Sequence, residues 1–148
     1  MESNMKANDL YGTWRLRSFK HTVLESGIES NIMGNQPQGA ITFTQDHCVT
    51  VIITAERQHQ IAENETDIRE KLLYENMMAY MGRFVLHDDL CDFYIDIAWK
   101  PAWVGLQLQR KITLQDDILT IDTLPQLGID GKRITAKLVW QKQPTPSL

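Results

Sequence analysis

The sequence has few of the features that identify the common functional classes. Its 148 residues include only two cysteines, Cys48 and Cys91, whose spacing matches neither a metal site nor a redox motif. We expect both to be small buried hydrophobes. No segment approaches the roughly 18 consecutive apolar residues of a membrane-spanning helix. The first ten residues, MESNMKANDL, contain no apolar run of a secretion signal. We therefore expect a cytoplasmic protein without a membrane partner.

Motifs that carry catalysis are also missing. The chain has no His-Glu-x-x-His, no Gly-x-Ser-x-Gly and no glycine-rich phosphate loop. Its histidines lack the paired spacing of zinc ligands; they are His21, His47, His59 and His87. The net charge of −4 does not favour nucleic acid as a partner. We expect no metal and no cofactor.

The segments that are present read mainly as β-strands of one domain spanning residues 1–148. In the stretch YGTWRLRSFK, Trp14 and Leu16 alternate with Arg15 and Arg17, as in a strand with one buried face. Alternation continues in further segments: residues 13–24, 39–44, 48–54, 83–99, 106–122 and 133–142. Two of these are predicted hairpins, with turns at Asp88-Asp89 and Asp116-Asp117. The predicted core residues are Trp14, Leu16, Phe43, Val51, Leu108, Ile112, Leu138 and Trp140.

One helix is predicted, over about residues 65–81. Apolar residues recur there at three- and four-residue spacing, at Ile68, Leu72, Leu73, Met77, Tyr80 and Met81, and Gly82 is a typical stop. We expect this helix to cover one end of the strand assembly, as a plug or a lid, with Leu72, Met77 and Tyr80 buried.

Eight or nine antiparallel strands joined by short links have to manage their exposed edges. Closure into a barrel removes those edges, and a barrel of about eight strands has room for side chains or one small ligand. The pattern therefore predicts an all-β, closed barrel of eight or nine strands with one inserted helix. An open two-sheet sandwich is the alternative.

The chain resembles a known family at several points along its length. The similar stretches are GTWRLRSF (12–19), the link and strand ending in GAITFT (34–44), AYMGRF (79–84), PAWVG followed by Arg110, and AKLVWQK (136–142). Their order resembles the lipocalin-like domain family, small intracellular barrels of bacteria and fungi. The resemblance implies a barrel around a hydrophobic pocket and implies no single reaction. Where true lipocalins pack a last-strand arginine on the first-strand Trp, this chain has Lys137 and Lys142.

Arg110 is the most informative polar residue. It shares its parity with Leu108 and Ile112, so it should point into the barrel. A guanidinium in an apolar interior requires a partner, which is either a protein carboxylate or the polar end of a ligand.

The strand before Arg110 offers two alternatives for that partner. In one register Tyr94 lies opposite Arg110, with Asp92 and Asp96 diagonal to it. A slip of one residue in the pairing exchanges the two faces of this strand, so that Phe93 points inward instead of Tyr94. The sequence leaves both registers open.

Trp99 and Trp103 flank Pro101 in a connection at one end of the predicted barrel, where two indoles suit a flat or apolar ligand. The candidate ligand-binding residues are Trp14, Phe43, Met77, Trp99, Trp103, Leu108, Arg110 and Trp140. If the protein is an enzyme, the candidate catalytic residues are Arg110, Tyr94 and Asp96.

These features predict a protein that binds a small hydrophobic molecule with a polar or anionic end. The alternative is a cofactor-free cyclase or isomerase acting on a polyketide-like or terpenoid-like substrate. A third reading is a structural or partner-binding barrel with a filled core, which the interior volume would distinguish from the other two.

Overall fold

A computed structural model describes residues 5–56, 68–127 and 131–144. Within those ranges the chain forms ten β-strands, one α-helix and two short 3₁₀ helices. The strands are β1 (Gly12–Val23), β2 (Glu29–Ser30), β3 (Gln38–Phe43), β4 (Cys48–Thr54), β5 (Met77–His87), β6 (Leu90–Ala98), β7 (Gln107–Gln115), β8 (Ile118–Thr123), β9 (Gln126–Leu127) and β10 (Arg133–Lys142). The helix α1 spans Ile68–Glu75, and the 3₁₀ helices span Ala7–Asp9 and Pro101–Trp103.

Eight of these strands close into an antiparallel barrel. Their order is β1-β3-β4-β5-β6-β7-β8-β10, and β10 pairs with β1 from Ile134 to Lys142 to complete the ring. The two-residue strand β2 pairs with the last part of β1, and the two-residue strand β9 pairs with the first two residues of β10. The predicted barrel is confirmed, and the open sandwich is wrong because no edge remains between β1 and β10.

Three tight hairpin turns lie at one end of the barrel. Each contains a residue with positive φ: His47 (65°), Asp88 (57°) and Asp116 (54°). Asp and His are among the residue types enriched in this conformation. The predicted turns at Asp88-Asp89 and Asp116-Asp117 are confirmed.

The N-terminal segment closes this same end. Leu10 follows the first 3₁₀ helix and is fully buried, and its carbonyl accepts a hydrogen bond of 2.9 Å from Trp14 Nε1. Lys142 Nζ lies 4.7 Å from the centroid of a Trp14 ring and also donates to the Tyr11 carbonyl. A lysine of the last strand thus takes the position over the first-strand Trp, held by a cation–π contact.

Two β-bulges change which residues face inward. In β1 the pairing with β10 shifts between Leu16 and Ser18, so that Phe19 is buried instead of Ser18. In β6 the pairing with β5 skips Asp96, which leaves Ile97 62% exposed. An extra residue in one strand reverses the alternation beyond it.

The predicted helix over 65–81 is wrong at its C-terminal end. The helix ends at Glu75, where the amide and side chain of Asn76 both donate to the Leu72 carbonyl. Residues 65–67 lie outside the described ranges. From Met77 onward the chain is strand β5, and Gly82 lies inside that strand instead of stopping a helix. The segment also alternates with a period of two, and pairing with β4 decides between the two periods.

Leu72→Ala is expected to change the free energy of unfolding by less than about 0.5 kcal/mol, as at other surface positions. Leu72 is 37% exposed, so the helix does not bury it as predicted. Urea unfolding measures the change. A loss of about 2 kcal/mol or more would mean that Leu72 packs on the barrel in solution.

Candidate functional site

A cavity of about 570 Å³ occupies the barrel at the end opposite the hairpin turns. This volume lies within the range of small-molecule sites. Its wall is mainly apolar, with Ile41, Val51, Ile53 and Phe93 on one side. Below it, the closed end is filled by side chains that are almost fully buried: Leu10, Trp14, Phe43, Phe84 and Leu119. The barrel is therefore only half filled, which argues against the reading as a filled structural core.

Arg110 points into this cavity from β7, as its parity predicts. Burial lowers the pKa of Arg110, and its charge and hydrogen-bond interactions with the Tyr80 phenol partly offset that effect. Its other contact is with the carbonyl of Gln109, 3.4 Å from Nη1. Among the described residues, no carboxylate lies within ion-pair distance of Arg110. The guanidinium is thus a cation in an apolar cavity with a neutral phenol as its side-chain partner.

Tyr80 reaches the cavity because β5 alternates from Met77 onward. It is 9% exposed, and its ring lies 5.5 Å from the Trp103 ring. Burial raises the pKa of Tyr80, although the nearby charge of Arg110 works in the opposite direction. Tyr80 is therefore a neutral hydroxyl at neutral pH and can donate a hydrogen bond. The sequence assigned Tyr80 to a helix and so missed it as a partner of Arg110.

His21 is a second polar residue of the cavity that the alternation pattern misses. The bulge in β1 turns Phe19 and His21 inward, and His21 lines the cavity. Its ring lies 6.0 Å from that of Phe19, and its side chain has no hydrogen-bond partner among the described residues. Burial lowers the pKa of His21, so its imidazole is neutral at neutral pH.

Backbone pairing places His21 and Arg110 at the same level around the barrel wall. Arg110 pairs with Thr123 on β8. Thr123 Oγ1 accepts a hydrogen bond of 2.8 Å from the Ala136 amide on β10, and Ala136 pairs with His21. Arg110, Thr123 and His21 therefore form a polar belt, defined by these three residues, in the cavity wall.

The mouth of the cavity is aromatic, as predicted for the connection around Pro101. The rings of Trp99 and Trp103 lie 5.0 Å apart, and both line the cavity. Trp99 Nε1 donates a hydrogen bond of 3.2 Å to the Tyr74 carbonyl, which ties α1 to the mouth. Glu75 and Lys100 also line this region and place both signs of charge there.

The predicted ligand-binding residues fall into two groups. Five of them line the cavity: Met77, Trp99, Trp103, Arg110 and Trp140. Three do not, because Trp14 and Phe43 lie in the core of the closed end and Leu108 is a half-buried member of the core cluster. The buried indole N–H of Trp140 has no acceptor in the described part of the chain, which is a costly arrangement in an apolar interior.

Tyr94 and Asp96, the other candidate catalytic residues, lie on the outer face of β6 away from the cavity. Arg110 pairs with Cys91, and Leu108 pairs with Phe93. The register that placed Tyr94 opposite Arg110 is therefore wrong. Inward-facing Phe93 buries more apolar surface than Tyr94 would, which favours the observed register.

Asp92, the remaining carboxylate of that strand, does not pair with Arg110 either. Its oxygens contact Gln109 Nε2 at 3.2 Å and His87 Nε2 at 3.6 Å. The neighbouring Cys91 is fully buried, and this burial together with the Asp92 charge raises its pKa to about 12. Its thiol is therefore unreactive at neutral pH.

Metal and membrane features are not found in the part of the chain that the structure describes. No group of three or more His, Cys, Asp or Glu side chains is placed to hold a metal ion there. None of the helices in those same residues is long and apolar enough to cross a bilayer.

Lowering the pH is expected to destabilise the protein through His21. Since its folded pKa lies below the ordinary value of 6.5, the unfolded chain binds more protons just below that pH. Stability should therefore fall as the pH drops below about 6.5 and level off once the folded pKa is passed. In thermal unfolding from pH 7.5 to 5.0, His21→Gln should lose less stability than the wild type. Equal losses in both proteins would contradict a lowered pKa of the half-buried His21.

Comparison with known proteins gives two matches. A family model described as the lipocalin-like domain matches residues 11–143. The chain is also similar to the 4′-hydroxy-3′-methoxypropiophenone carrier protein of Aspergillus oryzae, with 27% identity over 97 residues. That alignment covers 59% of this chain and 87% of the carrier protein.

Proposed function

Because the chain belongs to the lipocalin-like domain family, we propose that it binds a small hydrophobic molecule whose polar or anionic end contacts Arg110. The observation that carries this proposal is the position of Arg110, which faces a cavity of about 570 Å³ without a carboxylate partner among the described residues. A ligand oxygen would supply the partner that the protein does not.

The cavity's chemistry supports a flat ligand with oxygen substituents. Much of the wall is aliphatic and aromatic, and the polar belt together with Tyr80, which lies on β5 beside Val51, offers hydrogen-bond donors. The similar carrier protein is named for an aromatic ketone that also carries hydroxyl and methoxy groups. An aryl ketone of this kind is therefore the first probe to test, with 4-hydroxy-3-methoxybenzoic acid as its carboxylate counterpart.

Isothermal titration of the protein with 4′-hydroxy-3′-methoxypropiophenone tests the proposal. Ala136 lines the cavity and is 8% exposed, so Ala136→Phe should fill the space that the ligand needs and weaken binding at least tenfold. Lys137→Phe introduces the same phenyl side chain on the outer face of the barrel, where Lys137 is exposed. This variant should bind the ketone as the wild type does.

The titration has two outcomes that would overturn the proposal. One is that neither the ketone nor the benzoic acid binds. The other is that Ala136→Phe, shown to be folded by circular dichroism, binds as tightly as the wild type. Binding outside the barrel would give that second result.

A cofactor-free cyclase or isomerase, acting on a polyketide-like or terpenoid-like substrate, is the second candidate function. The presence of a neutral imidazole and a cation in one cavity favours it, since such groups can move a proton and polarise a carbonyl. His21 and Tyr80 replace Tyr94 and Asp96 as the partners of Arg110 in this candidate. Incubating the protein with a ketone substrate and analysing the mixture for isomeric products by mass spectrometry and NMR tests it; an unchanged substrate would exclude that reaction.

A further inference from the structure

Three polar side chains that the barrel does not need for closure face the same cavity. Arg110 and Tyr80 interact with each other, while His21 has no hydrogen-bond partner among the described residues. Burial desolvates the Arg110 guanidinium, and its side-chain partner among the described residues is a neutral phenol. This arrangement costs stability, so the retention of Arg110 in a ligand-sized cavity points to a role toward the ligand. Such a role rests on the proposed binding function.

The pairing of the strands sets the spacing between these groups. From Arg110 to His21 the belt crosses three strand-to-strand steps, through β8 and β10 to β1. At roughly 4.8 Å a step this is about 14 Å along the curved wall. Arg110 and His21 line the cavity from the two ends of this arc, so a ligand in the cavity lies between them.

The chemical character of each group is complementary. A neutral imidazole offers a lone pair that can accept a proton, and burial keeps His21 in that neutral form. Arg110 and the Tyr80 hydroxyl are donors that can bind an oxygen on which negative charge develops. Arg110 is largely desolvated, and at a desolvated site such donors act more strongly than they do in water.

We propose that the cavity catalyses enolisation of a bound ketone, with His21 as the base and Arg110 and Tyr80 holding the enolate oxygen. The C–H bond next to the carbonyl breaks, and its proton goes to an imidazole nitrogen of His21. The electron pair of that bond forms the carbon–carbon double bond, while the carbonyl π pair moves onto oxygen. The proton on the His21 imidazolium exchanges with solvent, and return of a solvent-derived proton or deuteron from His21 to carbon restores the ketone, so no oxidant, reductant or cofactor is consumed.

Hydrogen–deuterium exchange measures this step directly. The aryl ketone 4′-hydroxy-3′-methoxypropiophenone carries a CH₂ group next to its carbonyl, and NMR in D₂O follows the loss of its signal. The wild type should exchange it at least a hundredfold faster than buffer, as expected of a positioned base. His21→Gln should reduce the rate to near that of buffer while titration shows ketone affinity within about threefold of the wild type.

A matched variant controls for the general effect of losing a histidine. His47 is exposed on the β3–β4 turn and does not line the cavity, so His47→Gln should exchange the ketone at the wild-type rate. Tyr80→Phe should slow exchange while keeping the aromatic packing against Trp103.

The outcomes separate this inference from the proposed function. Ketone binding without exchange above the buffer rate overturns enolisation and leaves the binding function standing. Exchange that survives in His21→Gln overturns the role of His21 as the base. If the ketone does not bind at all, the binding function fails for this ligand and enolisation of it fails too.

Discussion

Arg110→Leu is expected to give a folded barrel that binds the aryl ketone about 10- to 100-fold more weakly, the equivalent of losing roughly 1.5–3 kcal/mol for a hydrogen bond to a charged group. Its stability should equal or exceed that of the wild type. The guanidinium is desolvated and its side-chain partner among the described residues is the neutral Tyr80, so leucine removes a charge that burial penalises. Thermal unfolding and isothermal titration of the same preparation measure the two effects.

The control for this variant is the same substitution on the outer wall. Arg83 is exposed on β5, and Arg83→Leu should change neither affinity nor stability by a measurable amount. A marked loss of stability in Arg110→Leu together with unchanged affinity would contradict the ligand role. That result would assign Arg110 to the structure of the barrel.

The inward direction of Arg110 could be predicted because its strand is regular. Leu108 and Ile112 flank it at a spacing of two, and β7 pairs with β8 without a bulge. The alternation of inward- and outward-facing side chains therefore continues without interruption along β7. The hairpin turns at Asp88 and Asp116 could be predicted for a similar reason, since they interrupt clear alternation with two acidic residues that tolerate positive φ.

The partners of Arg110 could not be predicted, for two different physical reasons. His21 lies beyond a bulge, and a single extra residue at Arg17 reverses the parity of everything after it without leaving a signal in the hydrophobic pattern. Tyr80 lies in a segment where Met77, Tyr80 and Met81 fit a helical spacing as well as a strand. Pairing with β4, a contact distant in sequence, selects the strand.

The register of β6 against β7 was open in the sequence because the link between them does not fix it. A 3₁₀ helix, Pro101–Trp103, takes up part of that link, and its length cannot be read from the residue count alone. The bulge at Asp96 then adds a second shift, on the β5 side. The expectation that Tyr94 and Asp96 lie near Arg110 assumes a regular strand, and β6 is not regular at this position.

Strands β5 and β6 approach each other closely at Gly82, next to the bulge at Asp96. A Cβ atom added to Gly82 would lie 1.9 Å from the Tyr94 carbonyl oxygen and 2.7 Å from its carbonyl carbon. Both are backbone atoms, so no side-chain rotation can relieve the overlap. Strands β5 and β6 would therefore have to separate at Gly82, where their pairing determines that Ile95 points inward.

Gly82→Ala is therefore expected to lower the free energy of unfolding by about 3 kcal/mol or more, at the upper end of overpacking effects. Gly27→Ala is the control, because Gly27 has a φ of +72° and no atom within 4 Å of an added Cβ. It should cost only about 1–2 kcal/mol, the strain of an L-residue in that conformation. Urea unfolding of both variants gives the comparison. A Gly82→Ala variant no less stable than Gly27→Ala would mean that β5 and β6 are farther apart at Gly82 in solution than in this structure.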